Sequence, residues 1–552
     1  MTNPPQKDFT HRSWIMATAL IAVLIALSFI PPCSVMGVSL RRANILSDII
    51  SFDDCNSEQT TNDVMLVEEI AEQELQAIDI EQIAAEIAAD VAPVKEEVAS
   101  DSIAAPSVTI DFVWDLQSAE RKAMCDSLRY SREYSAPDYE LIAVEDFDTT
   151  GSSPWRQFAD KIARDESVRV AFLGDSFVEG DIVTSDLRRL LQAEYGFDGD
   201  GVGFAPMASP LTGFRRTVKT SASGWTSYNV MQQAKSPEML RDKFMLGGWV
   251  CSPSDGASTR WEVVNKAGDE FSIVPYADIY FLSPAWSRVE VTLNDTLSRK
   301  FDVEASTALR RIRVLSDGIH SITFKTIKPA RGFVGYGVSL YGDGVTLDNY
   351  SVRSNSGQAI FRMNHSLNAQ LARMTPYDLV VLQYGLNIMQ KGRYNYDSYV
   401  RQVEKMVAII RECFPSAAVL IMGVSDRSVR SDKGGFEPMD ALPYMDSAQR
   451  EAARTTGAAY WSTLSAMQLR GGMAQFVANG WAGKDYTHIN FAGGARIAQS
   501  LFDAIRYDVY QSRLSLPESI RKGEATPILT PQMREKVDMQ LSASYRHERT
   551  QK

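Results

Sequence analysis

Cysteine is scarce in this 552-residue chain: Cys33, Cys55, Cys125, Cys251 and Cys413 are widely scattered, with no Cys-x-x-Cys pair and no Cys/His pair at metal-ligand spacing. Neither a structural zinc site nor a disulfide scaffold is implied. Basic stripes are also missing. Lys and Arg number 57 against 69 Asp and Glu, a net charge of −12, and no basic run is interleaved with aromatics, which sets nucleic acid aside as a partner. Long uncharged apolar runs are absent but for residues 14–30. Aromatics are absent from residues 56–106, which hold thirteen acidic residues and one lysine, Lys95; a stretch of that composition cannot bury a core.

What is present divides the chain. Residues 1–13 form a short stub whose Lys7 and Arg12 favour the cytoplasm, although Arg41 and Arg42 beyond the apolar run pull the other way. Residues 14–30 are an anchor or export signal: the run is short for a membrane span, long for a signal core, and no Ala-x-Ala-like site follows closely. An uncleaved anchor in the inner membrane is the favoured reading and a cleaved signal the alternative. Either puts the bulk of the chain in the cell envelope on the periplasmic side. Cys33 suggests a lipoprotein, but Ile30-Pro31-Pro32 lacks the small residues expected before a lipidated cysteine. Residues 31–106 read as an acidic flexible linker, with Ile80, Ile83 and Ile87 at helical spacing allowing a transient helix.

Residues 107–165 are expected to be a helical lead-in. Residues 166–214 and 346–510 show an alternating strand and helix rhythm, with buried runs at Val168, Val170, Phe172 and Leu173, at Thr346 to Val352, at Asp378 to Tyr384 and at Ala417 to Val424. That rhythm predicts a parallel sheet covered on both faces, with functional groups at the strands' carboxyl ends. Residues 215–345 change period. Runs such as Val289-Glu290-Val291-Thr292-Leu293, separated by Asn-Asp and Asp-Gly turn signals, predict an inserted β-sandwich. Residues 511–552 form a polar tail.

Gly174-Asp175-Ser176 follows the first buried run, and Asp485-Tyr486-Thr487-His488 comes 312 residues after Ser176. A hydroxyl becomes a nucleophile when a base takes its proton and a third group orients the base. Ser176, His488 and Asp485 are candidates for those roles, although Gly-Asp-Ser alone is as readily a turn or helix cap. Of the five histidines, His11 precedes the apolar segment, His547 lies in the tail, His320 falls in the strand-rich region and His365 in a polar helix; His488 has the local carboxylate. Gly385-Leu386-Asn387 places an amide just after another buried strand.

These residues resemble the SGNH, or GDSL-type, hydrolase family, from about residue 168 to 507 with the strand-rich region interrupting. The resemblance implies a flavodoxin-like three-layer α/β/α domain. It makes Ser176 the nucleophile, Asp485 and His488 its partners, and Asn387 an oxyanion-hole donor beside the backbone N–H of Ser176. The second-block glycine maps to Gly357 in Arg353-Ser354-Asn355-Ser356-Gly357, with Ser354 as an alternative backbone donor; Asn387 is followed by Ile388 where many members have Asp. No metal or organic cofactor is expected. The insert looks like the arrangement in bacterial peptidoglycan O-acetylesterases, with Trp225, Trp249, Trp261, Tyr276, Tyr280 and Trp286 as candidate sugar-stacking faces.

The favoured function is an extracytoplasmic serine esterase removing acetyl or another short acyl group from an acetylated envelope glycan. An O-acetyltransferase using the same residues and a non-catalytic glycan-binding scaffold are the alternatives. The oligomeric state is left open.

Overall fold

The structure is a computed structural model that describes residues 33–35, 38–40, 108–113, 118–131, 141–197, 201–210, 212, 215–264, 273–431 and 434–517. The expected anchor at 14–30, nearly all of the acidic linker, and the tail beyond 517 lie outside them. The chain divides into residues 1–96 and 97–552. In the first unit Cys33–Val35 pairs antiparallel with Val38–Leu40. No helix among the described residues is long and apolar enough to cross a membrane.

In the second unit the buried runs become one six-stranded sheet. Its strands are β1 (Glu145–Asp146), β2 (Val168–Gly174), β3 (Val345–Asn349), β4 (Leu379–Gln383), β5 (Ala418–Met422) and β6 (Ala459–Trp461). They lie in the order β3-β2-β4-β5-β6-β1, parallel except for β1 at the edge. The five parallel strands have the flavodoxin-like order, in which the crevice for ligands opens where the winding reverses, here between β2 and β4.

The alternation within each strand decides which layer it feeds. Val168, Val170 and Phe172 join Leu379, Val381, Ala418 and Leu420 in one core. Ala171 and Leu173 join Val380, Leu382, Val419 and Ile421 in the other. The first core is covered by α1 (Pro154–Ala163), α2 (Thr184–Tyr195) and α6 (Phe491–Ser515), the second by α3 (His365–Met374), α4 (Asp397–Cys413) and α5 (Leu442–Thr456). Ser153 caps α1 ahead of Pro154, and the Asn490 side chain accepts the Ala492 and Gly493 N–H groups that open α6.

The strand-rich region differs from expectation in two respects. The lead-in is not wholly helical: Val108–Val113, whose Ile110 and Phe112 alternate with polar residues, pairs parallel with Ser306–Ile319 and extends the inserted sheet. In place of two separate sheets there is one hydrogen-bonded sheet of ten strands, which also takes in Gly203–Pro206. The reason is the 15-residue strand Trp249–Val263. It pairs along its length with Val218–Asn229, meets Val334–Tyr341 at Cys251, and meets Ser321–Lys328 over Ser258 to Glu262. A strand long enough to serve both halves curls the sheet around a single core containing Trp261, Phe281, Phe324 and Phe333.

The two sheets are tied by a buried polar strut. Arg169 of β2 pairs with Asp348 of β3 at 2.8 Å and also donates to Ser339 of the inserted sheet. Ser339 and Tyr377 donate to the same carboxylate at 2.8 and 2.7 Å. Burial would push Asp348 up, but the Arg169 guanidinium and these hydrogen bonds outweigh it and hold the carboxyl below the usual range. Arg311 of the insert donates to the Met374 carbonyl at 2.7 Å, and Tyr280 shares a hydrogen bond with Thr375 at 2.6 Å.

Candidate active site

Ser176 stands two residues beyond the end of β2. The strand can turn there because Gly174 lacks a side chain; a Cβ would lie 2.3 Å from Val178 Cγ2. The turn is closed by Asp175, whose Oδ1 accepts the Phe177 N–H at 2.9 Å. Asp175 is fully buried, and burial, reinforced by Glu179 and opposed by the Phe177 N–H and by His488, pushes its carboxyl up to about 7.

His488 comes from the loop before α6. Ala482 bridges Ile489, and the Gly483 N–H donates to the His488 carbonyl at 2.8 Å, so the loop is a closed turn. Asp485 sits inside it, with Oδ1 accepting the N–H groups of Thr487 and His488 at 3.1 and 3.2 Å. Its Oδ2 lies 2.7 Å from His488 Nδ1, and His488 Nε2 lies 3.3 Å from Ser176 Oγ. Burial raises the Asp485 carboxyl, and the hydrogen bond and charge of His488 with the two backbone donors outweigh it, leaving it below the usual range. An ionised carboxylate only accepts, so Nδ1 carries the hydrogen and Nε2 is left to accept from the serine hydroxyl. The turn forces Tyr486 to φ 56°, a left-handed conformation that bulky residues rarely adopt and that costs about 1–3 kcal/mol.

Asn387 lies four residues past β4, the neighbour of β2, after Gly385 at φ 117°. Its Nδ2 donates to Asp175 Oδ2 at 3.1 Å and to the Asn355 carbonyl at 3.3 Å. The loop after β3 is joined to the serine loop by Arg353, which donates to Glu179 at 2.6 Å.

Gly357 corrects the sequence expectation. Its N–H donates to Asn355 Oδ1 at 2.9 Å and is therefore occupied, and its φ of 93° serves close packing, since a Cβ would meet Met406 Sδ at 2.1 Å. Ser354, the alternative, is itself left-handed at φ 58°. Asn355 was missed: its side chain takes the Gly357 and Ala359 N–H groups while its carbonyl meets Asn387. An Asn two residues before a Gly is the one signal that pointed to such a turn.

The insert's aromatics also fall differently. Trp261 and Tyr280 are buried, Trp225, Trp249 and Tyr276 are partly buried, and Trp286 is exposed with Arg288 and Lys328 over its ring, each at 5.6 Å. Most of these rings hold the insert together. Among the described residues no group of three or more His, Cys, Asp or Glu is placed to hold a metal ion.

No protein-family model matches the chain, and no curated protein matches it. Among solved structures, a peptidoglycan O-acetylesterase aligns over 67% of this chain and 99% of its own, with 21% identity and a TM-score of 0.53. Over the aligned part the chain has the fold of that protein. A family two carbohydrate esterase from Cellvibrio japonicus (9% identity, 53% of this chain, 98% of its own, TM-score 0.23) and a GDSL-like lipase from Parabacteroides merdae (12%, 29% and 73%, TM-score 0.23) also match. On this fold, Ser176 and Asn387 stand after adjacent strands at the winding reversal, and His488 comes from the loop that opens α6.

Proposed function

We propose that this chain is a serine esterase that removes acetyl or other short acyl groups from an acetylated envelope glycan. The observation that carries the reading is the Ser176–His488–Asp485 relay, with contacts of 3.3 and 2.7 Å. His488 Nε2 takes the Ser176 proton as Oγ attacks the ester carbonyl. The tetrahedral intermediate then expels the sugar alkoxide, which leaves with the proton returned by His488. Water, deprotonated by the same imidazole, releases the acid from the acyl-enzyme.

The developing oxyanion is held by the N–H of Ser176, by Asn387 Nδ2 and by the backbone N–H of Ser354, which takes the role that Gly357 has given to Asn355. The Asn387 contact to the Asn355 carbonyl is the longer of its two and is the one an oxyanion would replace. Each such donor is worth about 3 kcal/mol in the transition state. The overall likeness to a peptidoglycan O-acetylesterase supports a glycan ester as substrate. Residues 14–30 would tether the enzyme at the inner membrane, with the folded part on the periplasmic side.

The test is hydrolysis of 4-nitrophenyl acetate and of O-acetylated peptidoglycan by the full chain and by Ser176→Ala and His488→Ala. Both variants are expected to lose about three orders of magnitude or more of turnover with an unchanged melting temperature. Wild-type rates in either would overturn the reading.

A further inference from the structure

Four aromatic side chains stand out as exposed among the described residues, and three of them lie in segments beyond the carboxyl ends of the parallel strands. Phe436 is 38% exposed, Tyr394 53% and Tyr444 48%; the fourth, Trp286, is on the insert. Tyr394 lies on the loop after β4 and Asn387. Phe436 lies in the hairpin Ser428–Arg430 and Phe436–Pro438 after β5, and Tyr444 lies in the first turn of α5. All belong to the carboxyl side of the strands, where Ser176 sits.

They form two ring pairs. Phe436 stacks on Tyr486 at 3.9 Å and 12°, and Tyr486 is the residue between Asp485 and Thr487, two before His488. Tyr394 packs against Tyr444 at 5.0 Å. The pairs are fixed to one another: Tyr394 Oη donates to Asp440 at 2.6 Å, the Gly392 N–H donates to the same carboxylate at 3.1 Å, and Lys391 meets Glu437 at 3.5 Å. The Ser428 N–H donates to the Tyr486 carbonyl at 2.9 Å, which ties the hairpin to the histidine loop. Phe436 and Asp440 are four residues apart, so their Cα atoms are at most about 14 Å from one another.

We propose that the Phe436/Tyr486 and Tyr394/Tyr444 pairs are a docking rim for consecutive sugar rings of a glycan strand on the histidine side of the site. This rests on the esterase reading and extends it from an ester to a polymer. A pyranose ring has an apolar C–H face and a hydroxyl edge, and the exposed rings of Phe436, Tyr394 and Tyr444 stand among hydrogen-bonding groups: Arg430, which lies 5.8 Å over Phe436, then Lys391, Glu437 and Asp440. A lipid chain or a protein would need a continuous apolar face, and here charged side chains lie between the pairs.

The experiment compares Phe436→Ala, Tyr394→Ala and the control Trp286→Ala in the full chain, on O-acetylated peptidoglycan strands and on 4-nitrophenyl acetate. For each rim variant, kcat/KM on the polymer should fall at least tenfold more than on the small ester, chiefly through KM, with Phe436→Trp restoring it; Trp286→Ala should leave both within twofold. Equal losses on the two substrates, or no loss on the polymer, would overturn the rim. Binding reads it apart from chemistry: Ser176→Ala should retain de-acetylated peptidoglycan strands in affinity electrophoresis, and adding Phe436→Ala should abolish the retardation. If Ser176→Ala keeps full esterase activity while the rim variants lose retardation, the catalytic assignment fails and the rim stands.

Discussion

The parallel sheet and the inserted sheet spend their aromatic residues in opposite ways. In the insert, Trp261, Phe281, Phe324 and Phe333 close the curl of a single sheet on itself and are buried. In the parallel sheet the strands carry mostly aliphatic residues inward, while the loops beyond their carboxyl ends leave Phe436, Tyr394 and Tyr444 exposed. A sheet covered by helices on both faces needs no help from its loops to make a core. A sheet curled on itself must fill its own interior, and its large side chains are consumed in doing so. Ring count in a segment is therefore a poor guide to ligand contact; the covering layers decide which rings are free.

The comparison breaks if the two sheets are separable. Asp348→Ala would leave the Arg169 guanidinium buried without its partner and remove the acceptor shared by Ser339 and Tyr377. The expected loss is about 3–5 kcal/mol, read as one cooperative transition at a lower denaturant midpoint. Two resolved transitions would mean that the insert folds by itself. A smaller effect sharpens the other side. Asn387→Ala, on an exposed loop residue, should slow 4-nitrophenyl acetate turnover by about 10²–10³ through loss of an oxyanion donor, with little change in melting temperature. A proportionate loss of stability would make Asn387 a structural residue.

Much of the parallel sheet was legible because its strands are short apolar runs after which the chain turns, and the same runs located Ser176 and Asn387 at the strand ends. The closeness of His488 to Asp485 was legible from three-residue spacing. Gly357 was not, because a glycine in the sequence does not reveal that Asn355, two residues earlier, captures its N–H. The strand Val108–Val113 carried a period-two signal, but six residues far from their partner give no hint of joining Ser306–Ile319. The curl of the insert was likewise hidden, since it depends on one strand serving two neighbours at its two ends.

The smallest expected effect falls on the residue that sits under both candidate donors. Asp175 holds the Asn387 amide by its nitrogen end and turns the serine loop through the Phe177 N–H, yet its carboxyl is pushed up to about 7 by burial. A folded-state value above the ordinary carboxylate range favours the protonated form in the fold. Its stabilising contribution is therefore complete below about pH 4 and is lost as pH rises through about 7, at no more than about 1.4 kcal/mol per pH unit. Asp175→Asn, which cannot ionise, should flatten the fall in unfolding free energy between pH 4 and 7 measured by urea titration. In the same variant Asn387 faces a neutral amide that either end can contact, so its nitrogen end is no longer selected, and kcat should fall with little change in KM. An unchanged pH slope would mean that the buried carboxylate is ionised throughout that range and that Asp175 orients Asn387 as a permanent anion.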